Sequence, residues 1–581
     1  MKRSVKGKLA PMLASALALS LLAACSNGGN GGNAASGTAA SGTDSKASAS
    51  GSAAATQTAG AAGEKTATPE PLTLNVMLWG DKPKQFDEVV AEFERRTKDT
   101  LNLKLKVTFT PQADYVNKLK LKLAAGEQVD IAFDAPWMNM NAFIAKDNYT
   151  NLDGYFNNDQ YPGLKQAFGS GYLDNNKFTG ADGQLHTYGV PLGQYLSDMA
   201  VIYYRKDLAA KYGMSDIKSY EDLTAYFDQV LANDKNMIPF VIRNDGNYGA
   251  TAAIDFNKDL PVKYEAGLWD LNLAPNVVAT LQLDGKTVKG IKLTGDKADS
   301  SAAFPAPFNQ PDYTTYQTIR EWHDKGYIEK EPIVRKDARG TFTAGKAASM
   351  MEGVANLDAV NAQLKAGVPS SELGMFVVQK TVRDMVQPNP TLISDFRVWN
   401  FLCIPKTSAN ADRAMAFINW IFENQDNHDL FELGIKGKHW EPVGDDKFKY
   451  PDGIDTLQNY TFPGYMLTWN PNYIRLSANV PDDLVAYYRY VADEKSYVRS
   501  ALAGFAFNQE PVKNQLANPD FAKISTETLA YQLGMVETPA DGLQKLQAKW
   551  EGNKALQSDI AAIKAELKKQ VEAFLAQQSG T

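Results

Sequence analysis

The sequence predicts an α/β protein made of two lobes. From residue 72 onward, segments with the apolar pattern of strands alternate with segments of helical spacing, and this order favours parallel strands joined by helices. About 510 residues follow the low-complexity start of the chain, which is more than one hydrophobic core usually holds. That body contains a single cysteine, Cys403, so a large core has to stabilise it without an internal disulfide.

The body opens with three predicted strands and two predicted helices. In order, they are a strand over Leu72–Leu78, a helix over Gln85–Lys98, a strand over Leu103–Phe109, a helix over Tyr115–Ala125 and a strand over Asp130–Asp134. The first helix has Phe86, Val89 and Phe93 on one face. The second ends beside Gly126, a residue that commonly follows a helix C-terminus.

The next part of the chain predicts a second α/β unit with an irregular insertion. A strand over Val201–Tyr204 precedes a helix over Tyr220–Leu231, which Ser219 is expected to cap. Residues 245–312 are rich in Gly, Pro, Asn and Asp, so we expect loops and a small β insertion that includes a strand over Thr287–Leu293. Further helices are predicted over Thr314–Lys325, Ala411–Asp426 and Lys545–Gln577.

The first 25 residues have the pattern of an export signal. A basic start precedes an apolar stretch from Leu9 to Ala24 that is too short to span a bilayer. Leu22-Ala23-Ala24-Cys25 resembles the bacterial lipobox, in which the cysteine carries acyl chains such as palmitate and becomes the mature N-terminus. The alternative is an ordinary secretory signal with a cysteine there by chance.

Residues 26–70 consist mainly of Gly, Ala, Ser and Thr, and they predict a flexible tether because they bury little apolar surface. A lipid anchor on Cys25 followed by a long tether implies a protein held at the extracellular face of the cell membrane. A single membrane under a thick wall suits this arrangement, so we expect a Gram-positive host.

Charge and motif content exclude several classes of function. Removing the four basic residues of the signal takes the formal charge from −7 to −11, which argues against nucleic acid as a partner. The four histidines lack the spacing of a zinc site, and no phosphate-binding or nucleophile motif is present, so no cofactor and no metal are expected. Asp174–Gly183 begins like a calcium loop, but Phe178 stands where an oxygen ligand is needed, and a plain turn is the better interpretation.

Four segments resemble the family-1 extracellular solute-binding proteins, the sugar-binding receptors of bacterial ABC importers. They are Leu123–Ile131, Tyr188–Pro191 with Val201–Leu208, Phe342–Met350, and Ile404–Ser408 with Ala414–Trp420. Each segment alone is a weak signal, but their order and spacing behind a lipobox are specific. Gly504–Lys513 and Gly434–Glu441 are similar to the LplA/LipO-type lipoproteins within this group.

The resemblance implies a two-lobed periplasmic-binding-protein-like fold of type II, like that of maltose-binding protein, with a ligand cleft between the lobes. The expected division is a lipoprotein signal peptide over 1–25, a tether over 26–70, the first lobe over 71–192, the second lobe over 193–378, a return to the first lobe over 379–432, and completion of the second lobe with a helical C-terminal region over 433–581. Such a hinge lets contacts made only in the closed state shift the population toward closure.

A sugar site needs flat aromatic surfaces for the C–H face of the ring and carboxylates or amides for its hydroxyl groups. Open α/β sheets bind ligands at the carboxyl ends of their strands, which points first to residues that directly follow strands. The candidates are Trp79, Asp81, Asp134 and Trp137 at strand ends, and Tyr195, Asp198, Asp245, Tyr248, Trp269, Glu352, Trp399 and Trp469 with Asn470 in loops and at crossings. For each tryptophan the alternative is a core position, and for each aspartate it is a helix cap.

The sequence therefore predicts a monomeric, lipid-anchored receptor that binds an oligosaccharide, delivers it to the permease subunits of an ABC transporter and performs no chemistry. A surface glycoside hydrolase or polysaccharide lyase is the alternative from another class, because the 67 acidic residues could hide a catalytic pair. An adhesion or structural lipoprotein is the third.

Overall fold

The computed structural model describes residues 68–577 except 169, 193–198, 243–248, 259–262, 336, 395–396, 457, 463 and 471. These residues lie in one compact unit that begins at Ala67. The predicted signal peptide with Cys25 and nearly all of the predicted tether lie outside the described residues. Within the described part of the chain, no helix has both the length and the apolar character needed to cross a bilayer.

The first sheet has five strands. Their order across the sheet is Leu103–Thr110, Leu72–Trp79, Ile131–Asp134, Asn400–Cys403 and Gly189–Leu192. The first three strands run parallel, as the alternation of strands and helices predicts. Asn400–Cys403 runs antiparallel to both of its neighbours, so the chain returns to this sheet after some 200 residues spent elsewhere. We call this strand the return strand and the body around its sheet the first lobe.

Helices surround this sheet and share one hydrophobic core with it. They are Phe86–Thr97, Gln112–Ala124, Met140–Ala145, Pro162–Ala167, Ser170–Asp174, Ala411–Glu423 and Gln425–Glu432. The core also takes in Tyr460, Phe462, Met466 and Leu467, and Phe462 stacks on Phe86 with ring centroids 6.2 Å apart. These residues fall in the segment expected to complete the second lobe, but their apolar side chains pack in the first.

The second sheet has three antiparallel strands, in the order Ser349–Gly353, Ala200–Arg205, Leu373–Val377. A separate core cluster covers each of its faces, and we call this body the second lobe. Its helices are Lys206–Lys211, Tyr220–Asn233, Ala250–Asp255, Thr314–Lys325, Ala338–Thr343, Leu357–Gly367, Lys380–Arg383 and Asp482–Ala492. Ser219 caps its helix as predicted, in a reciprocal arrangement with Asp222.

A third layer, here called the C-terminal module, combines the predicted β insertion with the end of the chain. Its antiparallel strands are Leu268–Ala274, Val277–Asp284 and Thr287–Leu293, and its helices are Lys513–Leu516, Pro519–Gln532, Pro539–Glu551 and Lys554–Gln577. These elements share one apolar cluster, so residues more than 200 positions apart form a common core.

Short pieces complete the structure. Asn389–Ser394 pairs with Tyr497–Arg499, Glu441–Val443 with Lys447–Lys449, Lys447–Lys449 with Leu476–Ser477, and Phe178–Thr179 with Leu185–His186. Single 3-10 turns lie at Asp153–Tyr155, Ala298–Ser301, Pro332–Val334, Val354–Asn356, Gly464–Met466, Glu494–Ser496 and Glu510–Val512.

Two predicted helices are wrong in their extent. The helix predicted over Ala411–Asp426 ends at Glu423, because Asn424 is extended and its side chain caps a new helix at Gln425. The helix predicted over Lys545–Gln577 is interrupted at Gly552 and Asn553, where the Asn553 side chain accepts a hydrogen bond from the Leu556 amide at the start of the last helix.

Candidate functional site

Two tryptophans meet at the carboxyl end of the first-lobe sheet. Trp79 is the last residue of its strand, and Trp137 lies in the turn after Ile131–Asp134. Their ring centroids are 6.2 Å apart at an interplanar angle of 80°. The Trp137 side chain is 42% exposed, whereas Trp79 is half-buried against the first-lobe core. An exposed indole held edge to face by a second indole is a preorganised apolar surface.

The return strand brings a third tryptophan to this edge. Trp137 Nε1 donates a hydrogen bond to Asn400 Oδ1 at 3.2 Å, and Asn400 is the first residue of the return strand. Phe401 is paired with Asp134, so Trp399 lies beyond the carboxyl end of the strand that Asp134 terminates. Trp399 is 61% exposed. We call Trp79, Trp137 and Trp399 the aromatic face.

Asp134 lies beneath this face rather than on it. Its side chain is 1% exposed, so the predicted direct contact with a ligand is unavailable in this conformation. One carboxylate oxygen accepts a hydrogen bond from the Ala135 amide at 2.7 Å, and the other accepts one from the Tyr149 hydroxyl at 2.6 Å. Burial raises the pKa of Asp134 to about 7, although these hydrogen bonds act in the opposite direction.

Two more candidates lie near the end of the first strand. Asp81 is exposed two residues after Trp79, and the neighbouring Lys82 pairs with Asp87 at 2.6 Å instead of neutralising it. Gly80 has a positive φ of 97°, and an added Cβ there would lie 3.8 Å from the Met466 side chain. The loop that contains Met466 therefore passes beside this strand end.

That loop continues into Trp469 and Asn470. Trp469 packs against the first-lobe core and is half-buried, and Asn470 is 1% exposed. Thr468 just before them donates a hydrogen bond to Glu432. The structure thus places this candidate loop on the first lobe, with Trp469 partly available to solvent.

On the second lobe, Glu352 lies at the sheet edge where the chain arrives from the first lobe. It pairs with Val201, and Gly353 pairs with Ala200, the first residue of the strand after the crossing. Glu352 is 3% exposed and forms an ion pair with Arg339 at 2.9 Å. Arg339 is therefore the more accessible partner, with 34% of its side chain exposed. The candidates Tyr195, Asp198, Asp245 and Tyr248 lie outside the described residues.

Trp269 does not join this constellation. It is 9% exposed, is paired with Leu281 inside the three-stranded sheet, and packs in the core of the C-terminal module. The turn-rich composition around it made a loop position plausible, whereas the structure makes it a strand residue covered by helices from the end of the chain.

Two supporting residues, Asn400 and Tyr149, are absent from the predicted site residues. Asn400 adjoins a candidate tryptophan, so a polar residue at the start of a buried strand was an available signal. Tyr149 is 15 residues from Asp134, and no local pattern connects them.

The described residues contain no group of three His, Cys, Asp or Glu side chains arranged to hold a metal ion. The segment Asp174–Gly183, which begins like a calcium loop, contributes one strand of a small hairpin, in which Phe178–Thr179 pairs with Leu185–His186. Asp182 in this segment pairs with His186 at 2.9 Å. What the face offers is an apolar platform beside exposed polar groups, which suits the C–H face and hydroxyl belt of a sugar ring.

Comparisons with known proteins agree with this architecture. The sequence profile of a family described as bacterial extracellular solute-binding protein matches residues 88–436, well over half of the chain. A carbohydrate ABC transporter substrate-binding protein from Streptococcus pneumoniae serotype 4 is 23% identical over 455 residues, covering 75% of this chain and 79% of that protein.

Solved structures resemble the fold over almost all of its described length. The N-glycan transport solute binding protein NgtS from Streptococcus pneumoniae superposes with a TM-score of 0.61 at 20% identity, covering 88% of this chain and all of that one. The same protein in complex with Man5GlcNAc gives a TM-score of 0.55 at 20% identity, with 88% of this chain covered and 100% of that chain. Together with the two sheets and the return strand, this likeness confirms the predicted two-lobed fold class.

Proposed function

Since the chain belongs to the bacterial extracellular solute-binding proteins, we propose that it is the receptor of an ABC importer for an oligosaccharide. It captures the sugar outside the cell by closing its lobes and delivers it to the permease subunits, without chemistry. The relative from Streptococcus pneumoniae is named for carbohydrate transport, and the similar NgtS structure holds Man5GlcNAc. Both support a carbohydrate as the ligand class.

The observation that carries the proposal is the aromatic face. Trp137 and Trp399 are 42% and 61% exposed, at the edge where open α/β sheets bind their ligands. Exposed apolar surface gathered at one edge is a mark of binding sites, and sugar C–H faces are a suitable partner for indole rings. On the second lobe, Arg339 pairs with the buried Glu352 and has a side chain that is 34% exposed, so it would supply a polar contact from the opposite side.

The proposal includes a lipid anchor on Cys25, a flexible tether and action as a monomer. Acyl chains would keep the receptor close to the permease, and the tether would let the body turn toward it. The lipobox-like segment at residues 22–25 supports the anchor.

A glycan panel tests the ligand class. Residues 67–581, which include the whole compact unit, are mixed with neutral and acidic oligosaccharides including Man5GlcNAc. Binding is read by thermal shift and closure by small-angle scattering. We expect at least one oligosaccharide to raise the melting temperature and to reduce the radius of gyration.

Two results would contradict the proposal. If no glycan of the panel produces a thermal shift or a compaction, sugar capture by closure is ruled out. New reducing ends during incubation would instead reveal a glycoside hydrolase or lyase, and Trp137→Ala in the same assay would show whether the aromatic face is involved.

A further inference from the structure

The turn that presents Trp137 begins at a residue whose amide is held by one carboxylate. Asp134 accepts a hydrogen bond from the backbone amide of Ala135 at 2.7 Å, and the Ala135 carbonyl accepts one from the backbone amide of Met138 at 2.9 Å. Trp137 lies between these two amides in the sequence. Because the backbone of the turn is fixed on both sides of Trp137, the direction of its indole depends on the carboxylate.

The same carboxylate is anchored from the opposite side. The Tyr149 hydroxyl donates to it at 2.6 Å, and the Tyr149 side chain is fully buried. The Tyr149 backbone bridges to Pro405, two residues after the return strand. The return strand begins with Asn400, which accepts the hydrogen bond from the Trp137 indole. Asp134 thus connects the turn to the segment against which Trp137 itself is held.

We propose that Asp134 is a positioning residue, which sets the orientation of Trp137 and through it the affinity for ligand without touching the ligand. The inference about affinity rests on the proposed function, whereas the inference about the orientation of Trp137 does not. The predicted role of Asp134 as a contact residue is replaced by this indirect one.

The ionisation state of Asp134 decides whether it can hold the turn. Both hydrogen-bond partners donate to the ionised carboxylate, and hydrogen bonds to a charged acceptor are the stronger ones, so protonation weakens the hold on the Ala135 amide. Burial raises the pKa of Asp134 to about 7, and the hydrogen bonds from Tyr149 and Ala135 act in the opposite direction. We therefore expect the turn to be held less tightly as the pH falls through this value.

The groups that surround Asp134 do not titrate in the same range. Among the described residues, Tyr115 on the neighbouring helix, Tyr149 and Cys403 on the return strand interact with its charge, and burial raises the pKa of each of them. All three remain neutral around pH 7. A change at Trp137 near that pH would accordingly report on Asp134.

Fluorine NMR of the protein labelled with fluorotryptophan tests the inference without any ligand. The chain has nine tryptophans, and the resonance lost in Trp137→Phe identifies Trp137. We expect this resonance to shift with pH, with a midpoint near 7, and to be independent of pH in Asp134→Asn. A resonance that is flat in the parent protein, or that still shifts in Asp134→Asn, would overturn the inference.

A second variant keeps the test decisive if Asp134→Asn folds poorly. Tyr149→Phe removes a hydrogen bond that favours the ionised carboxylate, so the midpoint should move to higher pH. An unchanged midpoint or a shift to lower pH would contradict the proposed role. Asp358→Asn is the matched control, since it replaces a half-buried carboxylate on the second lobe that accepts hydrogen bonds from Ser477 and Asn479, and it should leave the Trp137 profile intact.

Titration with Man5GlcNAc at two pH values measures whether the ionisation of Asp134 also changes the affinity for a ligand. We expect binding about five to ten times weaker at about pH 5.5 than at about pH 8.5, with this dependence absent in Asp134→Asn. If Man5GlcNAc binds with the same affinity at both pH values, the link from Asp134 to the ligand is refuted. If it does not bind, the NMR profile still decides the positioning role, and the sugar assignment is judged by the panel.

Discussion

The indole nitrogen of Trp137 and the side-chain oxygen of Asn400 form a 3.2 Å hydrogen bond across 263 positions of sequence. The bond joins the turn after a first-lobe strand to the start of the return strand. It connects an exposed aromatic residue of the candidate site to the element that completes the sheet.

Replacing Trp137 with alanine should weaken oligosaccharide binding by about tenfold or more and leave the melting temperature within about 3 °C, because the indole is 42% exposed. Calorimetric titration and thermal unfolding measure the two effects. Trp322→Ala is the control, since Trp322 is 4% exposed and its loss should cost several kcal/mol, about 3–5. A comparable stability loss in Trp137→Ala would make Trp137 a core residue.

A double-mutant cycle with Trp137→Phe and Asn400→Ala should give a coupling free energy of about 0.5–1.5 kcal/mol in denaturant unfolding, the usual range for one hydrogen bond. The control cycle combines Trp269→Phe with Asn400→Ala. Its coupling should be close to zero because Trp269 lies in the C-terminal module. Equal coupling in the two cycles would refute the direct interaction.

Stability should fall on the alkaline side because of the buried His428. Burial lowers the pKa of His428, but the carboxylates of Glu432 and Asp429 outweigh that effect and raise the pKa to about 9. The folded state therefore binds this proton more tightly than the unfolded state, whose pKa is about 6.5. The contribution is complete below that value and is lost as the pH rises through about 9.

Guanidinium unfolding at about pH 6.5 and about pH 9.5 should show a loss of about 2–3 kcal/mol from this group. His428→Gln should remove most of the difference, whereas His323→Gln, at a partly exposed helix position, should preserve it. A parent protein as stable at the higher pH as at the lower one would contradict the assignment.

Arg397 should contribute strongly to stability just before the return strand. Its guanidinium donates to the backbone carbonyls of Asn175, Lys177 and Gly504 at 3.1, 2.6 and 3.4 Å, and it lies 4.7 Å from the ring centroid of Phe178. Arg397→Ala should cost about 2–4 kcal/mol, and Arg397→Lys should recover less than half because it lacks the planar fork.

Denaturant unfolding measures the effect of the Arg397 variants. Arg489→Ala is the control, because Arg489 is 74% exposed and its loss should change stability by less than about 0.5 kcal/mol. If Arg397→Lys proves as stable as the parent, the hydrogen bonds from the guanidinium to several carbonyls do not account for the contribution of Arg397 to stability.

Replacing Cys25 with serine should prevent lipidation, so the full-length protein should appear in the medium or retain its signal. Membrane fractionation and mass spectrometry of the N-terminus measure this. Cys403→Ala is the control, because that thiol is fully buried and should leave membrane association unchanged. A Cys25→Ser protein that is processed and membrane-bound like the parent would exclude the anchor.

Local patterns were sufficient to predict most of the first lobe. Leu72–Trp79 and Leu103–Thr110 have the apolar content of sheet strands, and they pair over their full length in parallel. The helix breaks at Asn424 and Asn553 also had local signals, since each asparagine caps the helix after it. The helical spacing of the residues around them concealed these signals.

The arrangement of the site could be predicted only in part. The rule that parallel strands end at one edge of a sheet predicts that Trp79 and Trp137 lie close together, and their ring centroids are 6.2 Å apart. Burial of Trp269 depends on helices more than 200 residues later, and the bond from Tyr149 to Asp134 depends on how the chain folds back. Neither leaves a periodic pattern in the sequence.

The position of Asn400–Cys403 between Ile131–Asp134 and Gly189–Leu192 has a consequence for chain synthesis and export. The first lobe cannot complete its five-stranded sheet until residue 403 has emerged. The part of the chain between residues 192 and 400 can therefore fold first. Such non-local pairing is slow to form, and until then two strand edges are open to wrong partners. A truncation that ends before residue 400 should yield an aggregation-prone fragment, and the nascent protein should need holding factors on the far side of the membrane.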